Sequence, residues 1–147
     1  MTGVVFRKPR SRPERDAASS LLADSGVPPA AIRGAGDTVL YGLWDLAAPT
    51  GEGLVGVAAT RALDDAGSVE LCGIAVLAAL GRWGLGYRLV TEVADALRME
   101  GVRRLVAKSV DRQGLATALL AQAGFVAAVD ADRQSAETDA CWLYLEL

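Results

Sequence analysis

The stretch "LGRWGLGYR" sets Gly81, Gly84 and Gly86 between an apolar run, "ELCGIAV", and a segment of helical period, "LVTEVADALRMEG". Glycines packed between a strand and a helix let backbone N–H groups approach a ligand closely, and at a helix start the usual ligand is a phosphate. Two common phosphate loops fail letter by letter. Gly81 and Gly86 have the outer spacing of G-x-x-x-x-G-K-[ST], but Tyr87 and Arg88 stand where lysine and hydroxyl are required. A dinucleotide fingerprint begun at Gly84 needs glycine where Leu89 stands. With no histidine in the chain, Ser-His-Asp and Cys-His chemistry is excluded and zinc sites become implausible. No metal site is expected. Proton transfer must then use carboxylates, tyrosines, lysines, backbone or water.

The elements that must position these groups follow from periodicity. "VVFR" reads as a strand, and "RPERDAASSLLADSG" as a helix with Pro13 near its start, Ala17 and Leu21 on one face, and Gly26 as its stop. "VPPAAIRG" forms at most a short second helix. "TVLYGLWDL", "LVGVAATRAL" and "SVELCGIAV" read as an antiparallel meander. Leu85, Leu89, Val93 and Leu97 then mark a helix ended by Gly101. "VRRLVAKSV" is a strand, Asp111 caps "RQGLATALLAQA", Gly124 stops it, and "FVAAV" and "CWLYLEL" close the chain as strands. The plan is α+β, with helices packed on one sheet.

Composition narrows the function. The chain has 147 residues, 52% hydrophobic and 22% charged, which suits one domain with a substantial core. A net charge of −3 argues against nucleic acid as partner. Arg7, Lys8, Arg10, Arg12 and Arg15 read as a solvated basic edge. Cys72 and Cys141 fall in apolar strands and suit small core residues in a reducing compartment. No apolar leader opens the chain, and the longest apolar run, 71–80, is too short for a membrane span. The expectation is a cytoplasmic protein with no membrane partner.

"ELCGIAVLAALGRWGLGYRLV" resembles the acyl-CoA-binding motif of the GCN5-related N-acetyltransferase (GNAT) superfamily, E-L-x-x-L-x-V-x-P-x-x-R-G-x-G-I-G-x-x-L. Glu70, Leu71, Ile74, Val76, Gly84, Leu85, Gly86 and Leu89 fall in register. Downstream, "RQGLATALLAQAGF" is similar to the family's N-x-x-A-x-x-L-Y-x-x-x-G-F through Ala116, Leu119, Gly124 and Phe125. The resemblance implies a single GNAT domain over 1–147, a mostly antiparallel mixed sheet of about seven strands, and about four flanking helices.

It also implies an N-acetyltransferase that moves the acetyl group of acetyl-CoA directly to a primary amine of a small molecule or peptide. The amides of Arg82, Trp83, Gly84, Leu85, Gly86 and Tyr87 would receive the pyrophosphate, with charge from Arg82 and Arg88. The strand edge Ile74, Ala75 and Val76 would pair with the pantetheine arm, and an N–H near Val76 would polarise the thioester carbonyl. Gln113 stands at the motif asparagine, and Glu70 at the catalytic glutamate of the histone-acetyltransferase branch, which makes Glu70 the candidate base, with Tyr41 and Tyr144 on predicted strands as reserve acids. Three departures stand out. The motif Arg/Gln falls on Gly81, with arginine one place later. Ala78 and Ala79 replace a Pro-acidic pair. Leu120 occupies the place of the tyrosine that protonates the departing sulfur. Because of Leu120 and Gln113, the alternative is a CoA-binding regulatory protein with weak or no catalysis. The acceptor would be chosen by residues 11–36, the 45–53 turn and the acidic 130–139 segment, which suits a cationic amine or is an ordinary solvated loop. A homodimer is compatible with the resemblance.

Overall fold

The computed structural model describes residues 3–25, 38–47, 53–63, 67–77, 84–109, 115–127 and 141–147. Seven strands are present: β1 (Val4–Arg7), β2 (Thr38–Asp45), β3 (Leu54–Ala62), β4 (Ser68–Val76), β5 (Arg104–Ser109), β6 (Val126–Ala127) and β7 (Cys141–Glu146). Among the described residues three helices accompany them: α1 (Arg12–Asp24), α2 (Leu85–Met99) and α3 (Leu115–Gln122). The sheet order is β1-β2-β3-β4-β5-β7-β6. Among the described strands only β4 and β5 run parallel, joined through α2 as a crossover; every other neighbouring pair is antiparallel. The mostly antiparallel mixed sheet that the resemblance implies is therefore present. The short helix expected over "VPPAAIRG" and the Asp111 cap lie outside the described residues.

The sheet has an apolar layer on each face. On one side α2 buries Leu85, Leu89, Val90, Val93, Ala94 and Leu97 against Leu43, Val55, Ala58, Leu71 and Leu105. On the other, Ala18 and Leu22 of α1 meet Trp44, Leu54, Val57, Ala59 and Ala75. The seam of α1 is Glu14, Ala18 and Leu22, with Ala17 and Leu21 only partly buried at its flank. The sequence pattern missed this by one position because the first residue of the seam is charged.

Glycines end two helices by the same device. Gly101 takes φ +88°, which lets Val102 N–H reach back to Leu97 O at 3.0 Å. Gly124 takes φ +103°, Phe125 N–H donates to Leu120 O at 3.0 Å, and the Phe125 ring is driven into the main core.

The basic edge is only partly solvated. Ser11 caps α1, its Oγ accepting from Glu14 N–H at 3.3 Å. Glu14 accepts two bonds from the Arg7 guanidinium at 3.0 and 2.8 Å and a third from Arg10 N–H at 2.7 Å. Arg7 also lies over the Trp44 ring at 4.4 Å, and Trp44 Nε1–H donates to Arg7 O at 3.1 Å. The indole fills the space where a side chain on Gly42 would sit, 2.6 Å from a would-be Cβ. The S-x-x-E spacing of Ser11 and Glu14 was the signal available for this arrangement.

Hydrogen bonds from Arg7, then from Arg10 N–H, hold the Glu14 carboxyl down from 4.5 to about 2. A depressed carboxyl contributes stability that is complete above the unfolded value and is lost as pH falls through the folded one. Glu14→Gln should therefore cost about 1–3 kcal/mol in urea denaturation at pH 7. The gap between wild type and variant should close between pH 4.5 and about pH 2. A gap of equal size at pH 2 would mean that the pair contributes nothing through its charge.

Candidate active site: a split between two parallel strands

The parallel pairing of β4 with β5 runs only from Ser68↔Arg104 to Leu71↔Ala107. Beyond it β4 continues along β3 to Val76, while β5 continues along β7 to Ser109. From residue 72 onward the β5-facing edge of β4 has no paired strand among the described residues. At this point β4 carries a bulge: Ala59 opposes Gly73 but Thr60 opposes Leu71, so Cys72 is the additional residue. The bulge switches which positions face which layer. Val69 and Leu71 face α2 below it, whereas Ile74 and Val76 do so above it, and Ala75 and Cys72 turn to the α1 side.

Backbone polarity on the free edge follows from the ladder. Leu77 N–H donates to Val55 O at 3.0 Å, which makes that pair a hydrogen-bonded one. Alternation then directs the N–H and C=O of Ala75 to β3, and those of Ile74 and Val76 away from it, toward the split. Of the three expected edge residues, Ile74 and Val76 present backbone groups to the split. Ala75 contributes a buried methyl to the α1 layer.

On the α2 face, the helix begins at Gly84, whose φ of +71° is in the left-handed region and which has no side-chain cap. The first intrahelical bond is Arg88 N–H to Gly84 O at 3.0 Å, so the amides of Leu85, Gly86 and Tyr87 have no intrahelical acceptor. With no acidic residue in the first turn, this end is electropositive. The expected loop residues do different jobs. Leu85 buries its side chain in the core, and Tyr87 is exposed. A Cβ on Gly86 would meet Leu119 Cδ2 at 3.1 Å and Val76 Cγ2 at 3.8 Å, so Gly86 lets α2 approach α3 and the end of β4. Arg88 is directed elsewhere than expected: its Nη2 donates to Val4 O at 2.9 Å and ties α2 to β1. Arg82, Trp83 and Gln113 lie outside the described residues.

Glu70 projects on the opposite face, alternating with Val69 and Leu71, one residue before the last β4–β5 pair. Its Oε1 accepts from Arg61 Nη2 at 2.9 Å; Arg61 is its register partner on β3. Sequence reasoning missed Arg61 because the pairing is between strands and depends on register. Cys72 is half-buried beside them, its Sγ–H donating to Glu70 O at 3.7 Å. Burial, followed by the Glu70 charge, pushes its thiol up to about 11, so it is neutral and not a nucleophile at physiological pH.

Tyr144 shares the face of Glu70 through the row Glu70↔Val106↔Tyr144, about 10 Å across two strand spacings, with Arg104 over its ring at 5.1 Å. Tyr41 is instead a core residue stacked on Phe6, near Glu100 at the far end of α2. Burial, then the Glu100 charge, raises its hydroxyl pKa. Leu120, at the family's tyrosine position, is buried in the main core. Among the described residues no cluster of metal-ligating side chains occurs, and no helix is long and apolar enough to cross a membrane.

A mostly antiparallel sheet whose one parallel pair among the described residues splits beside a helix begun by glycine is the fold that the GNAT resemblance implies. The profile of the "Acetyltransferase (GNAT) family" matches residues 32–125, and the chain belongs to that family. Comparison with curated protein sequences gives no match. Among solved structures, the chain is similar to the IAA acetyltransferase of Bacillus cereus, at 20% identity and TM-score 0.75, over 98% of this chain and 99% of that one. It is also similar to a Bacillus subtilis acetyltransferase in complex with CoA, at 19% identity and TM-score 0.73, over 98% and 97% of the two chains. A third likeness is to the ribosomal-protein-S18-alanine N-acetyltransferase of Escherichia coli, at 20% identity and TM-score 0.70, over 97% and 93%.

The two glycines of the helix start should separate in a stability test. Gly86→Val should lower stability by about 1–3 kcal/mol through overpacking against Leu119, and Leu119→Ala should recover part of that loss. A Cβ on Gly84 would have no described atom within 4 Å, so the roughly 1–2 kcal/mol cost of Gly84→Val is chiefly conformational and Leu119→Ala should not relieve it. Thermal melts of the four variants check both statements.

Proposed function

We propose that the protein is an N-acetyltransferase that moves the acetyl group of acetyl-CoA directly onto the primary amine of a small molecule or peptide. The observation that carries the reading is the two-sided split. Helix-start amides without an intrahelical acceptor lie on one face of the sheet, a carboxylate lies on the other, and the edge of β4, unpaired among the described residues, joins them. The amides of Gly84, Leu85, Gly86 and Tyr87, extended by Arg82 and Trp83, would hold the pyrophosphate at the positive end of α2. The edge groups of Ile74 and Val76 would pair with the amide-rich pantetheine arm as a strand would. Gln113 belongs to the same cofactor side by its place in the family pattern.

In this reading the amine nitrogen attacks the thioester carbonyl carbon and the C–S bond breaks. The nitrogen's proton passes to Glu70. A backbone N–H on the free edge of β4 stabilises the charge that develops on the carbonyl oxygen. Ile74 N–H suits that role better than Val76 N–H. It lies about 13 Å along the strand from Glu70, against about 20 Å for Val76, and base and carbonyl must share one acceptor amine. An amine of pKa near 10 costs about 4 kcal/mol to deprotonate at pH 7, whereas release of a thiolate of pKa near 8.5 is uphill by only about 2 kcal/mol. The base is therefore the more consequential group. Water or Tyr144 suffices for the sulfur, which is consistent with leucine at position 120.

The test is CoA-thiol release across a panel of amines, with acetyl-CoA affinity measured separately. Glu70→Gln should lower kcat by about 10²-fold or more, while acetyl-CoA affinity stays the same. Tight acetyl-CoA binding with no thiol release from any amine would replace this reading with that of a CoA-binding regulatory protein.

A further inference from the structure

The Arg61–Glu70 pair contains more chemistry than a base requires. The guanidinium carries five N–H donors in a planar fork. Among the described residues one of them, on Nη2, is used by Glu70. Arg61 keeps 32% of its side-chain surface exposed, against 14% for Glu70, so the cation is the more open member of the pair. The Glu70 carboxylate locks the orientation of the guanidinium, and one carboxylate oxygen, Oε2, is left over. The two groups lie side by side on neighbouring strands, at the level where β4 and β5 begin to part.

A fixed cation beside a fixed anion is a complement to a small molecule that carries the opposite pair. From this juxtaposition we infer that the acceptor is an amine bearing its own carboxylate, an amino-acid-like zwitterion, and that Arg61 is the residue that selects it. The acceptor's carboxylate meets the free donors of Arg61 in the bidentate geometry that guanidinium favours. Its amino group then falls beside Glu70 Oε2, on the face of the sheet from which the split is entered opposite α2. The same cation works against a polyamine or an aminoglycoside. Such an acceptor brings only positive charge to Glu70 and meets Arg61 at close range with nothing to offset it. A site that offers fixed donors to a carboxylate also discriminates against the acceptor lacking one, because those donors are then left unpaired.

This inference rests on the N-acetyltransferase reading, and the experiment separates the two. Free amino acids, their carboxamides and spermidine are offered to the full-length wild-type protein with acetyl-CoA, and thiol release is compared per unprotonated amine. At least one free amino acid should show kcat/KM tenfold or more above its own carboxamide, with spermidine at or below the carboxamide. Arg61→Met should bring that ratio to within threefold of one while leaving acetyl-CoA affinity unchanged, and Arg61→Lys should retain part of the preference. Equal use of acid and carboxamide, or a preference for spermidine, overturns the inference and leaves the acetyltransferase reading standing. A preference that persists in Arg61→Met overturns the role of Arg61. If that variant does not fold, the wild-type ratio decides alone. Failure of every amine removes both readings together.

Discussion

The site depends on where one strand pair stops. Parallel strands β4 and β5 share only the four residues from Ser68 to Leu71 on one side and from Arg104 to Ala107 on the other. Their continuations are each secured by a different antiparallel neighbour, β3 for one and β7 for the other. Neither strand can close the gap without losing bonds on its other side. An unpaired edge in mid-sheet leaves peptide groups without partners, and such an edge is costly unless something else pairs with it. The partner proposed for this edge is the extended, amide-containing pantetheine arm.

The bulge at Cys72 makes the split usable. By inserting one residue, it reverses the alternation of β4 at the level where the pairing ends. Glu70 before it and Ala75 after it both face the α1 side, while Leu71 and then Ile74 and Val76 face α2. Without the inserted residue, Ile74 and Val76 would lie on the Glu70 face and lose their packing in the main core. Cys72 suits this position because it is small and, with its thiol pushed up to about 11, stays neutral between the α1-side core and the Arg61–Glu70 pair.

Charge is distributed by face. The N-terminal amides of α2 give one side of the split a positive end without a basic side chain drawn in from α2, since Arg88 is spent on β1. On the other side the charges occur as pairs across neighbouring strands, Arg61 with Glu70 and Arg104 with Glu146. The Arg7–Glu14 pair is different in kind. Glu14 is buried and bonded three times, and it joins α1 to β1 and, through Trp44, to β2. It stabilises the wall of the α1 layer that faces the Glu70 side.

Much of this was legible in the sequence because it is local. The limits of β1 and β4, the α2 seam at every fourth residue, and the glycine stops at 101 and 124 all follow from periodicity and from backbone conformations that glycine alone adopts cheaply. So did the family, since its motifs are sets of such local requirements: Gly124 turns the chain and Phe125 fills the core beside it. What the sequence could not supply is register. Arg61 and Glu70 are nine residues apart and meet only because β3 and β4 pair with one particular offset. The bulge at Cys72, the seam of α1 through a buried glutamate, and the diversion of Arg88 to Val4 O were likewise decided by the assembled sheet. Local spacing fixes which element a residue occupies, but which residue lies across from it depends on the pairing of distant strands, and the partners of Glu70 and Arg88 are set at that level.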